Sequence, residues 1–194
     1  MLNTSYKKDM KKIIALNGSP HQHGCTAALM NEVINSLVKQ GADVKTYHIS
    51  KMDIKYCQGC GGCTKHGKCV LQDDMQVLYD EIASADILIL ATPVYFWQMT
   101  AQLKTVIDRC QPFGRPNSTI KLEHGKKALI IATQGRPDET AFIPYFEHAA
   151  KSLSLLGFDF VELLIAGGTH EPEDVLNQNK VLHRAKKLSV WVTE

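Results

Sequence analysis

The chain has 194 residues, of which 44% are hydrophobic and 22% charged, and its formal net charge is +2. That length and mixture suit one well-filled globular core, and the near-neutral charge leaves no electrostatic footprint for nucleic acid or a membrane surface. The longest apolar runs, at 87–91 and 128–133, are far too short to span a bilayer.

Residues 1–12 are polar and lysine-rich and are not followed by the 7–15-residue apolar core of a signal peptide, so none is expected. Residues 1–10 read as a flexible lead-in and residues 11–194 as a single domain in the cytoplasm. The apolar run at 12–17 predicts a buried strand that ends at Gly18-Ser19-Pro20. Apolar residues recur at helical spacing from 25 to 40, and Gly41 stands where a C-terminal cap belongs. Residues 44–49 alternate like a strand. Residues 50–72 carry no periodic pattern, and unstructured segments of that length are usually functional or organised by a metal. Asp73 or Asp74 is placed to cap a helix running to about residue 83. An aliphatic strand at 87–91 ends at Thr92-Pro93, and a helix is expected at 100–110. A strand at 127–133, a helix at 139–156 closed by Gly157, a strand at 158–165 and a last helix at 171–191 complete the chain.

Five strands alternating with five helices imply a parallel sheet covered on both faces. Such sheets bind ligands beyond the carboxyl ends of their strands, where the winding direction switches. The loops at 18–26, 92–99 and 133–138 are therefore the places to look for chemistry. In the first, the hydroxyls of Ser19 and Thr26 and the free N–H groups of a helix start make an anion site. A plain capped turn is the alternative. No Lys stands where a Walker loop needs one, Gly18 and Gly24 have the wrong spacing for a dinucleotide fingerprint, and the second strand ends without a carboxylate. A monophosphate ester such as that of FMN fits better than a pyrophosphate.

Asn17-Gly18-Ser19-Pro20 and Thr92-Pro93-Val94-Tyr95-Phe96, with Ala101-Gln102-Leu103-Lys104 and Ile107-Asp108-Arg109, resemble the NADPH-dependent FMN reductase family over about residues 11–165. The resemblance implies a flavodoxin-like, doubly wound five-stranded parallel sheet with helices on both faces. His21 stands where family members commonly have a basic residue, and Cys25 where they have Asn. The implied FMN contacts are Ser19, His21, Cys25 and Thr26 around the phosphate, Pro93, Val94, Tyr95 and Phe96 along the ring, and Thr133, Gln134 and Gly135 at the pyrimidine edge. Backbone N–H donors at that edge would stabilise the anionic reduced flavin. Trp97 reads equally as a ring contact or as a core or interface residue, and Arg136 as a nearby charge or a solvated one. Because the flavin itself does the hydride chemistry, no catalytic acid or base is nominated.

Cys57, Cys60, Cys63 and Cys69 fall within thirteen residues, spaced Cys-x2-Cys-x2-Cys-x5-Cys among Gly59, Gly61, Gly62 and Gly67. Without a signal peptide, such clustering points to metal or redox chemistry rather than disulfides. The spacing leaves open a [4Fe–4S] cluster, zinc, or reduced thiols with no metal. It also resembles the compact cysteine motif of the iron–sulfur flavoproteins. Cys110 reads as a core residue; Cys25, at a helix start, either has a depressed pKa or simply packs there. The expected activity is transfer of electrons from a reduced nicotinamide, NAD(P)H, through FMN to a small acceptor such as a flavin, quinone, nitro compound or iron. The alternative is an electron carrier fed by a ferredoxin through a cluster. A homodimer with the flavin near its interface is expected from the aromatic loop and the cysteine excursion.

Overall fold

A computed structural model describes residues 11–120 and 122–193; the lead-in expected at 1–10 lies outside the described residues. Five parallel strands, β1 (Lys12–Asn17), β2 (Asp43–His48), β3 (Ile87–Pro93), β4 (Lys127–Thr133) and β5 (Phe160–Ala166), form one sheet in the order β2-β1-β3-β4-β5. The order reverses direction between β1 and β3, which pair in register from Ile13 with Ile87 to Asn17 with Ala91. This is the flavodoxin-like order, with its switch point at those two strands.

The helices are α1 (Cys25–Lys39), α2 (Gly62–His66), α3 (Met75–Ser84), α4 (Ala101–Arg109), α5 (Ile143–Ser154), α6 (Pro172–Leu176) and α7 (Asn179–Thr193). Alternate residues of each central strand feed opposite faces of the sheet. Ile14, Leu16, Leu88, Leu90 and Ile130 pack with Leu78, Leu103, Val106 and Phe146 of α3, α4 and α5. Ile13, Ala15, Ile89, Leu129 and Ile131 pack with Leu29, Val33, Val181 and Leu188 of α1 and α7. With both faces covered, the central strands read as unbroken aliphatic runs, and each fully buried Ile or Leu contributes about 1.5–3 kcal/mol.

Five expected helices become seven among the described residues. The segment at 50–72 contains a turn of 3-10 helix at Ile49–Lys51 and the short α2, which carries Cys63. The helix expected from 139 begins at Ile143, because Asp138 accepts hydrogen bonds from the Thr140 N–H and hydroxyl and holds a turn there. Pro144 then takes the first helical turn, where its missing N–H costs nothing. The last helix is split at Asn177 and Gln178; a Glu171–Asp174 capping box starts α6, and the Gln178 side chain donates to the Gly167 carbonyl. Among the described residues, no helix is long and apolar enough to cross a membrane.

Candidate functional site

A cavity of about 780 Å³ opens at the carboxyl ends of β1, β3, β4 and β5. Ser19, His21, Cys25, Thr26, Pro93, Val94, Tyr95, Thr133, Gln134 and Gly135 all line it. Its floor is fixed by short contacts between strand ends. The Asn17 side chain accepts from the Ser19 N–H at 2.9 Å, and Ser19 Oγ accepts from the His21 N–H at 3.1 Å. Gly18 N–H donates to the Ala91 carbonyl at 2.8 Å, and the Thr100 hydroxyl donates to the Gly18 carbonyl at 2.8 Å. A Cβ on Gly18 would stand 2.6 Å from the Leu103 Cβ, so only glycine lets the loop lie against α4.

Gly24 is the N-cap of α1 and makes no side-chain cap, so the first N–H groups of a fifteen-residue helix are left for a ligand. Thr26 and Thr133 share a hydroxyl–hydroxyl bond of 2.7 Å. One of the two protons is used inside that pair, and the other is free to point at an acceptor. Uncapped N–H groups beside paired hydroxyls are the donor set a phosphate monoester requires. At the third wall, the Gln134 N–H is already given to the Ala166 carbonyl at 3.0 Å. The free backbone donors of that loop therefore begin at Gly135, not at Gln134. The Gln134 side chain donates to the Arg136 and Asp138 carbonyls, while its Oε1 is buried without a partner. An orphaned acceptor in the cavity wall is a fit for a ligand N–H, such as a flavin ring edge offers.

Phe96 stays outside this wall and is 92% exposed. Tyr95 and Gln98 exchange both backbone hydrogen bonds, which makes Phe96 and Trp97 the two central residues of a tight hairpin turn with φ of 43° and 71°. Positive φ at two bulky aromatic residues costs about 1–3 kcal/mol each. The turn holds their edge-to-face pair outward, with Trp97 also against Phe142. Arg136 is solvated. Burial pushes the Cys25 thiol up, against the depressed alternative, and the nearby Asp174 and Glu171 add to the rise. Cys110 is buried in the core as expected, and burial pushes its thiol up to about 12.

The cavity wall also includes Lys51 and the stretch Thr169-His170-Glu171-Pro172. Gly167-Gly168 after the fifth strand could have flagged the latter as a ligand loop. Lys51, one residue in an unpatterned stretch, carries no signal in the sequence.

Cys57, Cys60, Cys63 and Cys69 line a second cavity of about 550 Å³ with Asp108, Arg109 and Arg115. Gly59, Gly61 and Gly67 have φ of 61°, 72° and 69°, a left-handed bend that glycine adopts without strain. A Cβ on Gly67 would meet the Asn117 carbonyl oxygen, so α2 sits hard against the 115–119 turn. Four thiols on one cavity suit a metal–sulfur centre in donor chemistry. They do not converge, however: among the described residues, no three His, Cys, Asp or Glu side chains stand in ligating geometry. Beneath them, Arg109 and Asp73 form a buried ion pair with bonds of 2.7 and 3.0 Å. Although burial works against it, the guanidinium holds the Asp73 carboxyl below the usual range. Burial and the neighbouring Cys69 push the Tyr79 phenol up.

The profile of a family described as NADPH-dependent FMN reductase matches residues 11–143. The chain belongs to the NADPH-dependent FMN reductase family. Membership makes the fold class, FMN as cofactor and a reduced nicotinamide as donor properties of the family this chain is in. An iron-sulfur flavoprotein of Archaeoglobus fulgidus is 40% identical over 131 residues, 67% of this chain and 59% of that protein. The chain thus spans about three fifths of that relative's length. A putative NAD(P)H-dependent FMN-containing oxidoreductase of Bacillus subtilis is 26% identical over 91% of this chain and 96% of its own. The structure of an NAD(P)H:quinone oxidoreductase from Methanothermobacter marburgensis superposes with a TM-score of 0.74 at 18% identity, covering 95% of this chain and 98% of that one. At that identity the likeness speaks for the fold alone.

Proposed function

We propose that the protein is an FMN-dependent oxidoreductase that takes electrons from NAD(P)H and passes them to a small acceptor, such as a flavin or quinone. The observation that carries this reading is the cavity at the β1/β3 switch point, where the uncapped N-terminus of α1 meets the Thr26–Thr133 hydroxyl pair. FMN bound there supplies hydride acceptance from the nicotinamide and onward transfer of electrons. The chain's own residues bind and orient. Ser19, Thr26 and the first N–H groups of α1 would hold the phosphate, Pro93, Val94 and Tyr95 would pack on the ring, and the Gly135 N–H and Gln134 Oε1 would bond its polar edge. No side chain in the cavity is required to carry a proton for the transfer, and none is assigned that role.

The four thiols on one cavity favour a second reading, a carrier that receives single electrons from a ferredoxin through a cluster held by Cys57, Cys60, Cys63 and Cys69. The names of several relatives support it. The outward Phe96–Trp97 tip supports a homodimer with the flavin near its interface. Anaerobic purification with FMN, iron and acid-labile sulfide quantitation, followed by single-turnover mixing with NADH and with NADPH, separates the readings. Stoichiometric FMN bleached by a nicotinamide is the expected result. Flavin reduced only by a reduced ferredoxin, with iron and sulfide at cluster stoichiometry, favours the carrier. A protein that takes up no FMN contradicts both.

A further inference from the structure

The four-cysteine segment carries no periodic pattern in its sequence, as segments organised by a function or a metal do, and its two ends are tied together by protein groups. Lys55 precedes Cys57 and Asp73 follows Cys69. The Lys55 N–H donates to Asp73 Oδ2 at 3.0 Å, and two residues earlier the Asp53 N–H donates to Asp74 Oδ2 at 2.8 Å while the Asp74 N–H returns to the Asp53 carbonyl. Arg109 closes this neck from α4. Its Nη1 donates to both the Lys55 carbonyl and Asp73 Oδ2, each at 2.7 Å, and its Nη2 donates to Asp73 Oδ1 at 3.0 Å. The two side chains are 1% and 0% exposed. Arg109 is itself held from behind, because the Tyr79 hydroxyl donates to its carbonyl at 2.8 Å.

A buried guanidinium has a large desolvation cost, which is offset only when its donors are matched. Here the matching groups are the two ends of the cysteine segment. The far side of the segment is fixed independently: the Asn117 side chain donates to the Thr64 carbonyl and the Thr119 N–H to the Gly67 carbonyl. The Arg109 Nε–H is buried with no acceptor among the described residues, and Arg109 lines the same cavity as the thiols.

We infer that Arg109 is the positioning residue of the four-cysteine segment: paired with Asp73 and bonded to the Lys55 carbonyl, it closes the segment into a preformed cradle before any metal is present. The cradle stands with or without a cluster, so this inference and the carrier reading fail separately.

The test is amide hydrogen exchange, read by mass spectrometry, on metal-free protein, comparing wild type with Arg109→Gln, Asp73→Asn and the double variant. Exchange across residues 56–71 should quicken about tenfold or more in each single variant, since breaking a buried pair strands the remaining group. The double variant should add little beyond either single change, because the two groups act as one unit. Exchange in β1, β3 and β4 and the affinity for FMN should stay at wild-type values. Unchanged protection of 56–71 in either folded variant overturns the inference, as does a uniform rise through the sheet. If Arg109→Gln does not fold, Asp73→Asn carries the comparison. Wild type that binds no iron yet protects 56–71 sinks the cluster and supports the cradle. Wild type whose segment exchanges freely until iron is supplied overturns the cradle.

Discussion

The hydroxyls of Thr26, at the start of α1, and Thr133, at the end of β4, lie 2.7 Å apart and limit the donors the candidate anion site can offer. Between two bonded hydroxyls only one proton remains for a ligand. Thr26→Val and Thr133→Val should therefore each weaken FMN binding by about 1.5–3 kcal/mol, and the double variant should lose less than the sum. Flavin fluorescence titration checks this; strict additivity would mean the two hydroxyls do not act as a pair. That Thr26 lines the cavity was legible because it sits at a helix start beside a glycine-flanked loop. The pairing with Thr133 was not, since nothing in a linear sequence brings positions 107 apart into contact. The exposure of Phe96 was not legible, for a related reason. Sequence marks an aromatic run but not the left-handed turn that rotates Phe96 and Trp97 out of the cavity while Tyr95 stays in its wall.

At the scale of elements, the sheet was the most readable part. Strands buried on both faces announce themselves as aliphatic runs, and β1 and β4 begin and end where those runs do. Helix starts were less readable where side chains hold local turns, as Asp138 does ahead of α5. Two predictions belong here. Gly18→Ala would set a methyl 2.6 Å from Leu103 on α4, so loop and helix must separate. It should cost about 1–3 kcal/mol of stability and weaken FMN binding together, measured by urea unfolding and titration; loss of one without the other would uncouple α4 from the loop. Glu81 of α3 bridges Lys45 on β2 and Lys12 on β1, at 2.5 and 3.1 Å. The bond from Lys45 lowers its carboxyl from an ordinary value of 4.5 to about 2, against some burial. A depressed carboxyl stabilises the fold above its unfolded pKa and loses that contribution as pH falls through its folded one. Glu81→Gln should thus cost up to about 1 kcal/mol near neutrality, solvent screening keeping it small. The gap from wild type should close as pH falls from about 4.5 toward 2. A pH-independent gap would show that packing, not charge, holds the contact.

Across the whole molecule, one helix connects the loop after β1 with the cavity that the thiols line. The N-cap of α4, Thr100, donates to the Gly18 carbonyl, and the helix's last residue, Arg109, donates to the Lys55 carbonyl at the neck of the cysteine segment. Nine helical residues span about 14 Å, so one rigid element links the loop at Gly18 to the cysteine segment. The central claim is that the cavity at the β1/β3 switch point recognises a flavin through its phosphate monoester. The direct measurement is a pair of titrations of flavin-free protein, one with FMN and one with riboflavin, which has the same ring and no phosphate. Several charge-assisted hydrogen bonds at about 1.5–3 kcal/mol each predict FMN binding at least about a hundredfold tighter than riboflavin. The difference should shrink in the Ser19→Ala/Thr26→Val variant. Equal affinity for the two flavins, or a difference untouched by that variant, would contradict the account.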